Sequence, residues 1–232
     1  MNSTKIKYPA LKKILPTSMS CTLAEAYGAL IGDGCLSTFY STYQKKQLYL
    51  LLYTGHTHDF EYYEEIMQPI FIKEFGTRGY IKNRSKKRGQ CMDYWVYSKR
   101  IFQWFKDFGF PVGKKIKLEI PKNIMENNEL SIACVRGIFN TDGSIYPRYS
   151  KKYKGHAKKY NYKNIEFKMN SSEVIHQIKE ILERNGIKTS NIRKNRKCSV
   201  LNIHDQRFVK LFFELVKPNN QYHIGVAWKL IN

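Results

Sequence analysis

Acidic residues are scarce in this 232-residue chain: 19 Asp and Glu stand against 40 Lys and Arg, leaving a formal net charge of +21 at pH 7. That balance draws the protein to a polyanion, with nucleic acid as the default partner. Long hydrophobic runs are missing too. The most apolar stretches are interrupted by Glu25, Arg136 and Asn140, so no run reaches spanning length and a membrane surface is the weaker rival. Cysteines are few, and their pattern is unpaired. Cys21, Cys35, Cys91, Cys134 and Cys198 make an odd set without a C-x-x-C, which argues against a zinc site or disulfide framework and for reduced thiols inside a cell. Only His56 and His58, of six histidines, lie close together, and they read as surface or turn residues rather than ligands. The first twenty residues alternate lysines with short apolar pieces, unlike a signal peptide.

What is present is a globular composition, 42% hydrophobic and 14% aromatic, enough for a core and too apolar for a disordered basic tail. Two short frames organise it: Ala26-Tyr27-Gly28-Ala29-Leu30-Ile31-Gly32-Asp33-Gly34 and Val135-Arg136-Gly137-Ile138-Phe139-Asn140-Thr141-Asp142-Gly143. Each reads as the end of an apolar helix with a small residue four places after its first glycine, so two such helices can approach closely. Each then ends in Asp-Gly. One such dipeptide alone is a helix stop and turn. Two copies 109 residues apart in matching frames are more, because a carboxylate at a helix C-terminus faces the negative end of the macrodipole and two together repel. A cation between Asp33 and Asp142 makes the arrangement sensible.

The rest of the chain is read as the same plan twice. Residues 1–21, with Lys5, Lys7, Lys12 and Lys13 between Pro9 and Pro16, form an irregular basic extension. Thr22 and Glu25 have the spacing of a capping box for the first motif helix. A hairpin follows over 35–43 and 47–54, then a helix from about 58 to 75 that Pro69 should kink or split and Gly76 should stop. A second hairpin over 78–83 and 91–97 precedes a helix over 99–108 capped by Ser98, and a basic connector runs from Pro111 to Pro121. In the second half the expected strands lie at about 144–149, 163–169, 189–193 and 199–204. The helices run from Ser171 or Ser172 to Asn185, stopped by Gly186, and from Asp205 to about Val216. A gapless internal match supports duplication: Cys91 falls on Cys198, Val96 on Ile203, Ser98 on Asp205, Arg100 on Arg207 and Phe105 on Phe212. The expectation is an α+β protein of two pseudo-symmetric αββαββα repeats, 22–121 and 122–232, each with antiparallel sheets. A chain carrying its own pseudo-dimer argues for a monomer.

Basic residues concentrate on the expected strands and turns, while the helices carry acids such as Glu61, Glu64, Glu180 and Glu183. A β-ribbon fits the major groove and reads base edges through Arg and Lys. Arg78, Lys82, Arg84, Arg148, Lys163 and Arg193 are the candidate base readers, and the turn residues Lys45, Lys46, Lys86, Lys87, Arg88, Lys151, Lys152, Lys194, Arg196 and Lys197 are suited to phosphates.

The two frames resemble the signature of the LAGLIDADG homing endonucleases. Gly28, Asp33 and Gly34, and again Gly137, Asp142 and Gly143, match that family's first glycine, acid and last glycine; Gly32, Thr141 and Arg136 depart from its alanines. The resemblance, which spans residues 22–232, implies saddle-shaped sheets astride a long, nearly palindromic duplex DNA site, with the motif helices packed at the centre. It implies Mg²⁺, with Mn²⁺ able to substitute, held by Asp33 and Asp142 with the carbonyls of Gly32 and Thr141, and one hydrolytic cut per strand. It also places a lysine near each scissile phosphate: Lys115 or Lys117 in the first half and Lys229 in the second, residues that equally suit phosphate clamps. The implied function is a site-specific double-strand DNA endonuclease encoded within an intron and found with the genome that carries its host element. A second reading is an RNA-binding maturase on the same scaffold, with host intron RNA as partner, and a third is a DNA-binding regulator without catalysis.

Overall fold

The computed structural model of the protein describes residues 15–84, 90–147 and 162–225. Its centre is a pair of helices, α1 (Cys21–Asp33) and α5 (Asn128–Asp142). Residues Leu23 to Ile31 of α1 are buried on every side, as expected of a helix in the middle of a core rather than on its surface. The two helices cross where they have no side chains. A Cβ on Gly28 would lie 2.0 Å from the Cys134 carbonyl oxygen, and one on Gly137 would lie 2.0 Å from that of Glu25. The close approach expected from the small residues is therefore reciprocal.

From each central helix the chain passes straight into a strand. After α1 come β1 (Gly34–Ser41) and β2 (Lys46–His56), an irregular helix, α2 (Gln68–Phe75), β3 (Tyr80–Asn83), β4 (Cys91–Tyr97) and α3 (Lys99–Asp107). A connector and the short α4 (Lys122–Met125) lead to α5, then β5 (Gly143–Pro147), β6 (Lys163–Met169), α6 (Ser172–Arg184), β7 (Arg193–Asn195), β8 (Cys198–Ile203) and α7 (Gln206–Val216). Each half holds one four-stranded antiparallel sheet, ordered β1-β2-β4-β3 and β5-β6-β8-β7. Helices cover one face of each. In β4, Met92, Tyr94 and Val96 are buried while their neighbours are not, the alternation of a sheet with one face in the core. The internally matched positions coincide in space: Cys91 and Cys198 open β4 and β8, Ser98 and Asp205 cap α3 and α7, and Phe105 and Phe212 are fully buried.

Local expectations are met in part. The N-cap of α1 is Ser20, whose hydroxyl accepts the Leu23 N–H; Thr22 instead donates to Glu74, and Glu25 turns into the interior. The interruption expected at Pro69 is a change of helix type. The preceding turn widens into a π-helix over Tyr62–Met67, which lets Pro69 sit in the first turn of α2, where a missing N–H has no cost. The strand expected at 189–193 begins only at Arg193. The glycines after the motif acids are not left-handed: Gly34 and Gly143 have φ of −96° and −76°. They are steric: a Cβ there would fall 2.2 Å from Leu30 Cδ1 and 2.3 Å from Phe139 Cδ2.

Candidate functional site

The direct helix-to-strand passage carries Asp33 and Asp142 to the C-terminal ends of the two crossed helices, side by side. A Cβ on Gly32 would lie 2.1 Å from Thr141 Oγ1 and 3.5 Å from Asp142 Cβ, which shows how closely the two motif ends meet. Asp33 is partly buried and Asp142 is more open. Loss of hydration raises the Asp33 carboxyl to about 7, helped by the negative charges of Asp142 and Asp59; the Tyr63 hydrogen bond and Lys115 oppose the rise. Asp142 is also raised, by crowding that strips hydration, with Lys115 opposing. Two acids that the fold makes reluctant to ionise beside one another are a pair suited to a cation.

Among the described residues, Lys115 is the sequence-predicted lysine that lies at the acids. It comes from the connector after α3, and its ammonium donates to the carbonyls of Ile31, at 2.7 Å, and Gly32. There it caps the negative end of α1 and lies within electrostatic reach of both acids, whose charges favour its protonated form while burial lowers its pKa. Lys117 is exposed, with a left-handed φ of 55°. The Gly32 carbonyl, expected to face a metal, thus already holds an ammonium. Thr141 turns its hydroxyl back to the carbonyls of Gly137 and Ile138, at 3.0 and 3.1 Å.

Around Asp33 stand residues that the sequence did not single out. The Tyr63 hydroxyl donates to Asp33 Oδ2 at 3.1 Å, fixing the carboxylate. Gly55 leaves room beside it, because a Cβ there would lie 3.0 Å from Asp33 Oδ2 and 3.1 Å from Asp59 Oδ2. Asp59 is itself occupied, accepting the His56 N–H at 3.0 Å and the Asn220 amide at 2.8 Å. Among the described residues no group of three or more His, Cys, Asp and Glu is arranged to hold a metal. A cation here would have two carboxylates and would complete its shell from water and a ligand's oxygens, a normal condition for Mg²⁺. The His56 and His58 rings meet tilted, with centroids 4.1 Å apart, and His58 stacks on Tyr222 at 4.6 Å, so they form a surface aromatic group rather than a ligand pair.

Behind the acids runs a buried polar network. Glu25, 3% exposed, accepts from Arg136 at 3.2 Å and from Asn219 at 2.9 Å. Asn140 accepts the backbone N–H groups of Asn219 and Asn220. Arg136 and Asn140, noticed in the sequence as interruptions, are thus bonded across the helix pair.

The candidate nucleic-acid residues divide. Lys45, Lys46, Lys82, Lys194, Arg196 and Lys197 are exposed on strands and turns, and Arg78 is exposed in the irregular segment before β3. Arg84 is held bidentately by Asp93, both contacts at 2.7 Å, and Arg193 lies 3.5 Å from Glu166. Lys163 does not fit its expected role: it starts β6 on the helix-facing side, in phase with Ile165 and Phe167, and is only 9% exposed. Lys86, Lys87, Arg88, Arg148, Lys151, Lys152 and Lys229 lie outside the described residues.

The sequence model of one family, described as the LAGLIDADG-like domain, matches residues 129–217. The match falls within the second of the two repeats. No curated protein matches the sequence. In structure, the chain is similar to mesophilic variants of the homing endonuclease I-DmoI, at 16% identity with a TM-score of 0.59 over 86% of this chain and 97% of that one. It is similar to I-DmoI in complex with DNA and Mn at 17% identity and a TM-score of 0.58, over 85% and 97%. The K262A mutant of I-SmaMI matches at 11% identity and a TM-score of 0.63, over 90% and 89%. The two-repeat α+β architecture is therefore the fold of I-DmoI and I-SmaMI along nearly the whole chain.

Proposed function

We propose that the protein is a monomeric, site-specific endonuclease that makes a double-strand break in a long DNA duplex by metal-dependent hydrolysis of one phosphodiester on each strand. The observation that carries this reading is the meeting of Asp33 and Asp142 at the ends of two crossed helices, with Lys115 in electrostatic reach of both. Asp33 and Asp142 would hold Mg²⁺ or Mn²⁺, with the Thr141 carbonyl as a further oxygen donor, while the Gly32 carbonyl stays with Lys115. Bound there, the ion supplies Lewis acidity and a water of lowered pKa. Tyr63 holds Oδ2 of Asp33 and so orients the carboxylate. Lys115 brings positive charge to a scissile phosphate, and Lys229 is the proposed counterpart in the second half. The exposed lysines of the hairpins, such as Lys46 and Lys82, meet phosphates, while the open sheet faces lie in the major groove. That I-DmoI has been seen with DNA and Ca or Mn, and with its target DNA and Mg, supports the reading.

The test rejoins the DNA flanking the host element of this reading frame into an uninterrupted duplex and incubates it with protein and Mg²⁺. The wild type should give two fragments. Asp33→Asn and Asp142→Asn should bind and not cut. Normal double-strand cleavage by either variant overturns the site. Tight binding of duplex without cleavage by the wild type turns the reading toward a maturase or a binding protein, which protection of host intron RNA then separates.

A further inference from the structure

The open faces of the two sheets differ in chemistry. In the first sheet, Phe39 pairs with Leu48, Ser37 with Leu50 and Cys35 with Leu52 across β1 and β2, and Leu50 and Leu52 pair with Tyr97 and Trp95 of β4. Residues directly opposite in antiparallel strands share a face. These side chains therefore make one continuous row, and it is the row turned away from Leu51, Tyr53, Tyr94 and Val96 in the core. It is accessible: Phe39 is 40% and Tyr97 48% exposed, and Leu48, Leu50 and Leu52 are half-buried without belonging to the core cluster. In the second sheet the open face carries Glu166, Lys168 and Arg193, with Glu166 accepting from Tyr146 at 3.1 Å and facing Arg193.

The apolar row has a basic rim. Lys46 and Lys82 are exposed on either side of it, and its acid, Asp93, is neutralised by Arg84. The row also runs into the candidate site, because Cys35 lies on this face two residues after Asp33. A positive rim around an apolar floor, continuous with a phosphate-handling centre, complements a polyanion that presents apolar groups. In the major groove of duplex DNA, that group is the C5-methyl of thymine. Leucine offers a base edge no hydrogen bond, so a polar edge buried against it is left unsatisfied, whereas a methyl group is not. We propose that the first sheet reads its half of the DNA site through thymine methyl groups, by apolar contact from Leu48, Leu50, Leu52 and Phe39, whereas the second sheet reads its half by hydrogen bonding. This rests on the duplex-binding part of the proposed function and not on cleavage.

Replacing thymine by deoxyuridine removes the methyl and keeps every base-pairing hydrogen bond, so it tests the inference without altering the protein. Duplexes bound by the full chain in Ca²⁺ are first selected from a randomised pool, and Leu50→Asn, on the open face, identifies the half-site read by the first sheet through its changed selection. Deoxyuridine is then placed in one half-site at a time. Affinity should fall roughly fourfold for each methyl lost under the first sheet, the worth of one buried carbon, and stay constant in the other half. Selected duplexes that are indifferent to deoxyuridine, or equally sensitive in both halves, overturn the inference and leave duplex recognition standing. Enrichment of no duplex, or preference for single-stranded RNA over every duplex, overturns the duplex reading itself.

Discussion

The crossed helices α1 and α5 present two sides related by the internal repeat, and the two are built differently. With the motif acids 109 positions apart, Tyr27 corresponds to Arg136, Ile31 to Asn140 and Cys134 to Glu25. Even the end contacts correspond, since the Tyr27 hydroxyl donates to the Phe108 carbonyl at 3.3 Å and Arg136 Nε donates to that of Val216 at 2.6 Å. On one side, however, the three residues are apolar or aromatic and fully buried. On the other they are an ion pair and an amide tied to Asn219 and Asn220. An apolar seam tolerates many arrangements of similar volume, whereas a buried polar network is satisfied in only one. The polar side therefore fixes how the two halves sit, and the apolar side contributes burial.

The largest expected difference follows from that contrast. Arg136→Ala strands the Glu25 carboxylate in the interior and should cost about 3–5 kcal/mol in chemical denaturation, whereas Tyr27→Phe loses one long hydrogen bond and should cost about 1 kcal/mol. Glu25→Leu combined with Arg136→Met should recover most of the loss. Equal costs for the two single changes would contradict the assigned asymmetry.

A second contrast lies between the acids. Asp33 holds its proton more tightly in the fold than in the unfolded chain, with a carboxyl raised from 3.8 to about 7. In the metal-free protein the contribution of Asp33 to stability should therefore be fully present below about pH 4 and be lost as the pH rises to about 7. Full burial would make the increment about 4 kcal/mol; the partial solvent access of Asp33 reduces it to roughly 1–3 kcal/mol. Asp33→Asn should raise metal-free stability at pH 8 by that amount and leave it nearly unchanged at pH 4. Asp142→Asn should do so more weakly, because Asp142 is more open to water. Added Mg²⁺ should stabilise the wild type and neither variant. A flat stability profile between pH 4 and 8 would contradict the raised carboxyl.

The two connector lysines offer a smaller contrast. Lys115→Met removes the ammonium that caps α1 beside the acids and should slow cleavage by about 10², while Lys117→Met should leave the rate within about twofold. Single-turnover rates on the same duplex decide it, and the reverse ranking would move the active lysine to Lys117.

Sequence reasoning succeeded where structure is local. The bounds of β4 and β6, and the caps Ser98, Ser171 and Asp205, follow from alternation and from hydroxyl or carboxylate groups placed before apolar periodicity. The close approach at Gly28 and Gly137 was legible because only glycine gives it twice in register. What was not legible depends on distant segments. Tyr63 meets Asp33 only after a π-turn shifts its helix by part of a turn, and Asn219 and Asn220 reach Glu25, Asp59 and Asn140 from the far end of the chain. Ser20 displaced Thr22 as cap because Glu74, 52 residues away, takes the Thr22 hydroxyl. Lys163 was misjudged by phase. Composition marked it as a strand lysine, but one residue of register decides which face a strand residue occupies.

That error sets up the finest comparison, between a strand-end lysine on the open side and one on the core side. Lys46 is exposed at the start of β2, and Lys163 is tucked at the start of β6, its backbone held at both polar groups by Gln206. If Lys46 meets a phosphate, Lys46→Ala should weaken binding to all duplexes alike, and the slope of log affinity against log salt should become shallower by about 1. Lys163→Ala should leave that slope unchanged and show its effect, about 1 kcal/mol, in stability instead. The pair is informative because both changes remove the same charge. A difference in salt slope can then come only from where the fold places each lysine, and a shared slope change would mean that the net charge, rather than the face of the sheet, is what holds DNA.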